Sequence, residues 1–170
     1  GIKMCESYNI QYKTNYKCLM PTNTFGPNDN YNALNSHFLP ALIKKVHDLK
    51  LNNKMELTLW GNGLAKREVI YVDDLADACI FFMKKSFSGT ILNIGTGKDF
   101  SIKQYAKIIL SQIIPKNKIK IKYDLSKPNG TPRKVLDIKL ANKYGWKPKT
   151  KLDEAITKTY KNFLENNKIV

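Results

Sequence analysis

Apolar residues recur at helical spacing along several stretches of the chain and alternate with polar residues along others. Ile2, Cys5, Tyr8 and Tyr12 fall on one face of a helix over residues 1–12 that has no N-cap signal of its own, so the helix is expected to start upstream of Gly1. Tyr16–Met20 reads as a strand that ends at Pro21. A long polar loop rich in Asn, Gly and Pro follows, and helical periodicity returns with Phe38, Leu42, Val46 and Leu49, where Ser36 is placed to cap and Pro40 fits the first turn. Met55, Leu57 and Leu59 alternate with Glu56, Thr58 and Trp60, a strand turned by Gly61-Asn62-Gly63.

The second half repeats the alternation of strand and helix. Glu68–Val72 is a strand, and Asp73 caps a helix carrying Leu75, Ala78, Cys79 and Phe82. Gly89–Ile94 is a short strand closed by Gly95-Thr96-Gly97. Ser101 then caps a helix with Ile102, Tyr105, Ala106, Ile109 and Ile113 on one face. Ile119–Tyr123 is a strand and Asp124–Arg133 a polar loop with two prolines. A brief helix from Asp137 stops at Gly145, and Leu152, Ala155, Ile156, Thr159, Tyr160 and Phe163 line a final amphipathic helix. Such alternation, without internal repeats, predicts an α/β or α+β fold.

Composition narrows the function classes. No run of about 18 apolar residues is present, which excludes a spanning helix. Cys5, Cys18 and Cys79 lack metal-ligand spacing and read as reduced thiols of a cytoplasmic protein, with no metal site. The net charge of +15 raises nucleic acid as a partner. Nearly all of that charge is lysine scattered along the chain, however, and no helix-turn-helix, zinc or RNA-binding signature accompanies it. Arg67 and Arg133 are the only arginines, and an arginine fork grips phosphate in a way a lysine cannot.

Several residues read two ways on their own chemistry. His37, where the loop meets a helix, is either an acid/base group or an ordinary helix-start residue, whereas His47 falls at a charged position late on its helix and reads as surface. Pro21-Thr22-Asn23-Thr24 is a strand end, placed where α/β folds bind ligands, or a plain Asx turn. Trp60 is a stacking platform or a core residue; Arg67 is a diphosphate ligand or half of a surface ion pair; Arg133-Lys134 belongs to a substrate flap or a solvated basic turn.

Four segments, MPTNTFGPNDNYN with NSHFLPALI, WGNGLAKREVIYVDDLADA, LNIGTG and DLSKPNGTPRKVLD, together resemble the GDP-L-fucose synthase family of extended short-chain dehydrogenases, in the same order and over nearly the whole chain. The resemblance implies the end of a Rossmann-type sheet (residues 1–27 and about 67–83) plus a small α/β substrate-binding domain formed mainly by the rest. It also implies a cytoplasmic homodimer that uses NADP to convert GDP-4-keto-6-deoxy-D-mannose to GDP-L-fucose by epimerisation at C3 and C5 and reduction at C4. Pro21, Thr22, Asn23, Thr24 and His37 would then meet NADP, with His37 also catalytic. Lys45, Trp60, Arg67, Asn129 and Lys134 would bind the GDP-sugar, although relatives are expected to carry Asp where Asn129 stands. Other members acting on UDP- or dTDP-sugars share most of these segments but not NSHFLPAL, and a basic nucleic-acid module is the alternative outside the enzymes.

Family features that do not occur are as informative. No glycine-rich dinucleotide turn is present, since Gly95-Thr96-Gly97-Lys98 is too short and reads as a strand-to-helix turn. Short-chain dehydrogenases pair a Tyr with a Lys one helical turn on, so that the ammonium lowers the phenol pKa. The one match here, Tyr123 to Lys127, runs from a strand into a loop against Pro128 and cannot hold that geometry. The chain is therefore expected to be a C-terminal half, lacking the N-terminal dinucleotide-binding region and inactive alone.

Overall fold

A computed structural model describes residues 1–32, 35–85, 87, 89–116 and 118–166. Ala33 and Leu34, inside the quoted loop, lie outside the described residues. In chain order the elements are α1 (Ile2–Tyr12), β1 (Cys18–Pro21), β2 (Asn23–Phe25), α2 (Phe38–Leu51), β3 (Glu56–Trp60), β4 (Lys66–Tyr71), α3 (Val72–Lys84), β5 (Ile91–Ile94), β6 (Asp99–Ser101), α4 (Ile102–Ile113), β7 (Lys120–Asp124), β8 (Arg133–Lys134), α5 (Lys139–Lys143) and α6 (Leu152–Asn166). The chain divides into two compact units.

The first unit holds Gly1–Thr24, Glu68–Lys98 and Val135–Lys149. Strands β1 and β5 pair in parallel, Cys18 opposite Ile91 and Pro21 opposite Ile94. Pro21 ends its strand without breaking the ladder, because the next amide, Thr22 N, donates to Ile94 O at 3.0 Å. Behind them Ile70, Ala78, Phe82, Phe87, Leu92, Ile94, Ala141 and Trp146 form a core. The Trp146 indole N–H is met by Asp77, which also receives Lys149 Nζ, and these contacts tie the segment after α5 to α3. Helix α1 forms as its periodicity predicts, yet none of its residues is buried. The Asn9 side chain holds the turn after it, accepting from Thr14 Oγ1 and Tyr16 N and donating to Tyr16 O.

The second unit holds Phe25–Arg67, Asp99–Lys134 and the chain from Thr150. Strands β3 and β7 pair in parallel, from Glu56 opposite Lys120 to Trp60 opposite Asp124. Helix α2 packs on β3 and α4, and α4 packs on α6. The apolar faces foreseen from periodicity are the buried ones: Leu42, Val46 and Leu49 on α2, Tyr105, Ala106, Ile109 and Ile113 on α4, and Ala155, Ile156 and Phe163 on α6. Ser101 caps α4 as expected, in a reciprocal box with Gln104.

The structure departs from the sequence reading at several places. The N-cap of α2 is His37, and the Ser36 hydroxyl is buried without a partner. Helix α3 starts at Val72 with Tyr71 as N-cap, so Asp73 sits in the first turn, where its charge still favours the dipole. His47 is 5% exposed, not on the surface. Strands β2, β6 and β8 are too short to show a period of two; β8 turns what read as the end of a loop into a strand paired with β4.

Candidate functional site

The alternation along β3 buries Leu57 and Leu59 and turns Trp60 outward at the strand end, 62% exposed, so it is not a core residue. Lys45, two turns into α2, places its Nζ 5.3 Å from the indole centroid, and Lys127 places its own at 5.7 Å. Loss of water around the Lys45 ammonium lowers its amine below the ordinary lysine value. That ammonium has no carboxylate within ion-pair distance among the described residues, whereas its neighbour Lys44 pairs with Asp48 at 2.8 Å.

Of the rest of the predicted substrate set, Asn129 lies on the loop after β7, Arg67 on β4 and Lys134 on β8. Asn129 Oδ1 accepts from Asn62 N at 2.7 Å, and its side chain fills the space a Cβ at Gly61 would take; Gly61 is left-handed, at φ 64°. The carboxamide oxygen is thus committed to the turn that follows Trp60. Arg67 Nη1 donates to Lys66 O and Thr131 O, at 2.7 and 2.6 Å, which clamps the same loop. Parallel pairing sets Lys66 opposite Arg133 and Arg67 opposite Lys134, so Arg67 and Lys134 share one face of the ladder. Arg133 points to Asp99, whose carboxyl it holds below the usual range, and is a structural ion pair rather than part of a free flap. The second unit therefore assembles Lys45, Trp60, Asn129, Arg67 and Lys134 along one connected set of contacts. Among the described residues Lys45, Arg67 and Lys134 have no carboxylate within ion-pair distance, and the exposed face of Trp60 lies beside Lys45.

His37, in the same unit, opens α2 in an extended conformation and is exposed; its side chain makes no cap bond. It stands eight residues before Lys45, about 12 Å along the helix axis.

The predicted cofactor segment belongs to the first unit. Thr22 Oγ1 and Asn23 Nδ2 both donate to Glu68 O, at 3.2 and 3.0 Å, and Thr24 Oγ1 donates to Thr22 O. With these side-chain donors used internally, the segment presents the exposed Pro21 ring and a fixed backbone, a surface that fits a flat nicotinamide as a wall. Glu68 also anchors this unit through its carboxylate. It is fully buried, and Oε1 accepts from Thr96 N and Gly97 N while Oε2 accepts from Leu136 N. Sequence reasoning missed this role, although a carboxylate opening the apolar run Glu68–Tyr71 was the available signal.

Tyr123 and Lys127 do not meet as a catalytic pair: Lys103 lies over the Tyr123 ring and Lys127 over Trp60. Among the described residues no group of three or more potential ligands is placed to hold a metal, and no helix is long and apolar enough to cross a membrane.

The chain is similar to known proteins over most of its length. The chain is 43% identical over 166 residues to the probable GDP-L-fucose synthase 1 of Oryza sativa subsp. japonica, covering 98% of this chain and 50% of that protein. It is 39% identical over 175 residues to the GDP-L-fucose synthase of Escherichia coli K12, covering 98% of this chain and 54% of that protein. The chain spans about half the length of the curated relatives it matches. Among solved structures, a GDP-6-OMe-4-keto-L-xylo-heptose reductase from C. jejuni superposes with a TM-score of 0.84 at 32% identity, over 98% of this chain and 58% of that one. Residues 1–95, more than half of the chain and including β1, α2, Trp60, Arg67 and Glu68, carry the pattern of one family, and the chain thus belongs to the NAD dependent epimerase/dehydratase family.

Proposed function

We propose that this chain forms the sugar-nucleotide site and the nicotinamide wall of a GDP-L-fucose synthase, which epimerises GDP-4-keto-6-deoxy-D-mannose at C3 and C5 and reduces it at C4. The observation that carries the reading is the exposed Trp60 indole beside Lys45, followed by a turn bonded to Asn129 on the loop whose Thr131 is held by Arg67, itself paired with Lys134. An indole stacks on a base or sugar, and cations with no carboxylate within ion-pair distance among the described residues suit a diphosphate. Similarity of 39–43% to GDP-L-fucose synthases over nearly the full chain supports GDP over other nucleotides.

The 4-keto group of such a substrate acidifies the C–H bonds at C3 and C5. Inversion requires one group to take a proton and another to return it on the opposite face. His37 does half of that exchange: its ring is exposed and makes no cap hydrogen bond to its own helix, and an imidazole can both take and return a proton. NADPH supplies the hydride for C4 when bound; Pro21 and the backbone of Thr22, Asn23 and Thr24 would pack against its nicotinamide. In this reading residues 1–27 and about 67–83 belong to the Rossmann-type part, and the protein is a cytoplasmic homodimer.

Calorimetric titration with GDP, UDP and dTDP tests the nucleotide. GDP is expected to bind tightest, and Arg67→Ala to weaken it about tenfold or more, the range of a lost charge-assisted contact. Equal binding of UDP would move the protein to another nucleotide-sugar class. His37→Gln is expected to leave GDP affinity unchanged while abolishing solvent-deuterium incorporation at C3 and C5; retained exchange would remove His37 from the mechanism.

A further inference from the structure

Lys127 was singled out in the sequence only as half of a false Tyr-x-x-x-Lys match, and the structure gives it another place. Its ammonium sits 5.7 Å from the centroid of the Trp60 ring that Lys45 also approaches, at 5.3 Å. One exposed indole thus draws two cations, each within the range of a cation–π contact. Their mutual repulsion is not offset by an ion pair: among the described residues neither has a carboxylate within ion-pair distance, although Lys122 pairs with Glu56 and Lys44 with Asp48 close by. The acidic side chain facing Lys127 on its own turn is Asp124, whose Oδ1 is occupied by Ser126 N and Oγ.

The backbone around Lys127 is fixed at both ends. Lys127 N donates to Asp124 O at 3.2 Å, and two residues on Asn129 is bonded to Asn62, in the turn that Trp60 leads into. The four-carbon stem is exposed, so its tip moves through several ångströms without disturbing the loop. A cation on an exposed π-face is held by only a modest interaction, and a phosphate is the stronger partner.

We propose that Lys127 is a further nucleotide-recognition residue, one that yields the Trp60 face to the base of a nucleoside diphosphate and pairs with its phosphates. The inference rests on the nucleotide-sugar reading above and adds a residue to that site. It predicts that Lys127 contributes through the phosphates and not through the base.

The test is titration of GDP and of guanosine, read by tryptophan fluorescence, into the wild-type protein, Lys127→Ala and Lys127→Arg. Trp146 is buried, so the signal that responds to ligand is that of Trp60. Lys127→Ala is expected to weaken GDP about tenfold and guanosine by less than about twofold, with Lys127→Arg restoring GDP to within about threefold of wild type. Unchanged GDP affinity in Lys127→Ala overturns the proposal. So does an equal loss for GDP and guanosine, which would mean that Lys127 only shapes the indole. If UDP binds as well as GDP, the GDP reading fails by itself, and the same comparison with UDP and uridine decides the role of Lys127. A wild-type protein that takes no nucleoside diphosphate overturns both.

Discussion

At the scale of single residues, Glu68 and His47 are polar groups whose burial each has a consequence. A carboxylate removed from water is unfavourable by several kcal/mol unless its lone pairs are met, and Glu68 meets them with three backbone amides. Glu68→Gln keeps the shape but turns an N–H2 toward at least one of those amides. It is expected to lower stability by about 2–4 kcal/mol, read as a drop in urea midpoint at unchanged slope. His47 packs on Phe163 and shares a 2.9 Å hydrogen bond between Nδ1 and Tyr160 Oη, while Nε2 has no partner. Burial lowers its pKa; of the charged neighbours on α2, Asp48 opposes the shift and Lys44 and Lys50 add to it. The unfolded chain, with an ordinary histidine pKa near 6.5, therefore takes up the proton first. Stability held above that pH is lost as the pH falls below it toward the folded-state value. Urea midpoints between pH 7.5 and 5 should show this decline in the wild type and a flatter course in His47→Phe; parallel courses would assign the decline to other groups.

At the scale of elements, the long helices were legible because each carries apolar residues at helical spacing, and α4 carries its own cap as well. Helix α4 is the clearest case. Ser101 and Gln104 satisfy two otherwise unpaired amides, and Ser101→Ala is expected to destabilise by about 1 kcal/mol, with a drop in Tm to match. Gly145, at φ 96°, ends the segment after α5 as the sequence implied. The misreadings have one physical origin: which residue caps or pairs is settled by tertiary neighbours. Ser36 and Asp73 have the right chemistry for caps, yet the helices begin one residue after His37 and Tyr71. Strands of two or three residues such as β6 and β8 show no alternation, and only the pairing of Arg67 with Lys134 reveals why the loop ends where it does. In the site, Trp60, Arg67 and Asn129 were legible as residue types in recognisable segments. The share of Asn129 in the Gly61-Asn62 turn, and the partners of Glu68 and Lys127, depend on chain crossings that no local pattern encodes.

At the scale of the whole molecule, the excess of 29 basic over 14 acidic residues forces a choice between polyanion binding and a basic enzyme surface. The arginines weigh against the first. Reading a base edge or gripping successive phosphates favours several guanidinium forks, and of the two arginines in the chain Arg133 is held by Asp99, which leaves the single fork of Arg67 and no array of them. What remains for a nucleic acid beyond that fork is scattered lysine, which attracts phosphate without geometry. Such attraction falls steeply with salt because it works by counterion release. Retention on duplex DNA is therefore expected to be independent of sequence and to vanish by about 0.2 M salt. GDP binding, if it rests as proposed on a stacked indole and a few directed cations, should survive that salt with a loss of no more than about tenfold. Gel-shift and GDP titrations across the same salt series make the comparison. DNA binding that persists at the higher salt while GDP binding disappears would make the lysine-rich surface the functional one and reduce the Trp60 site to incidental surface.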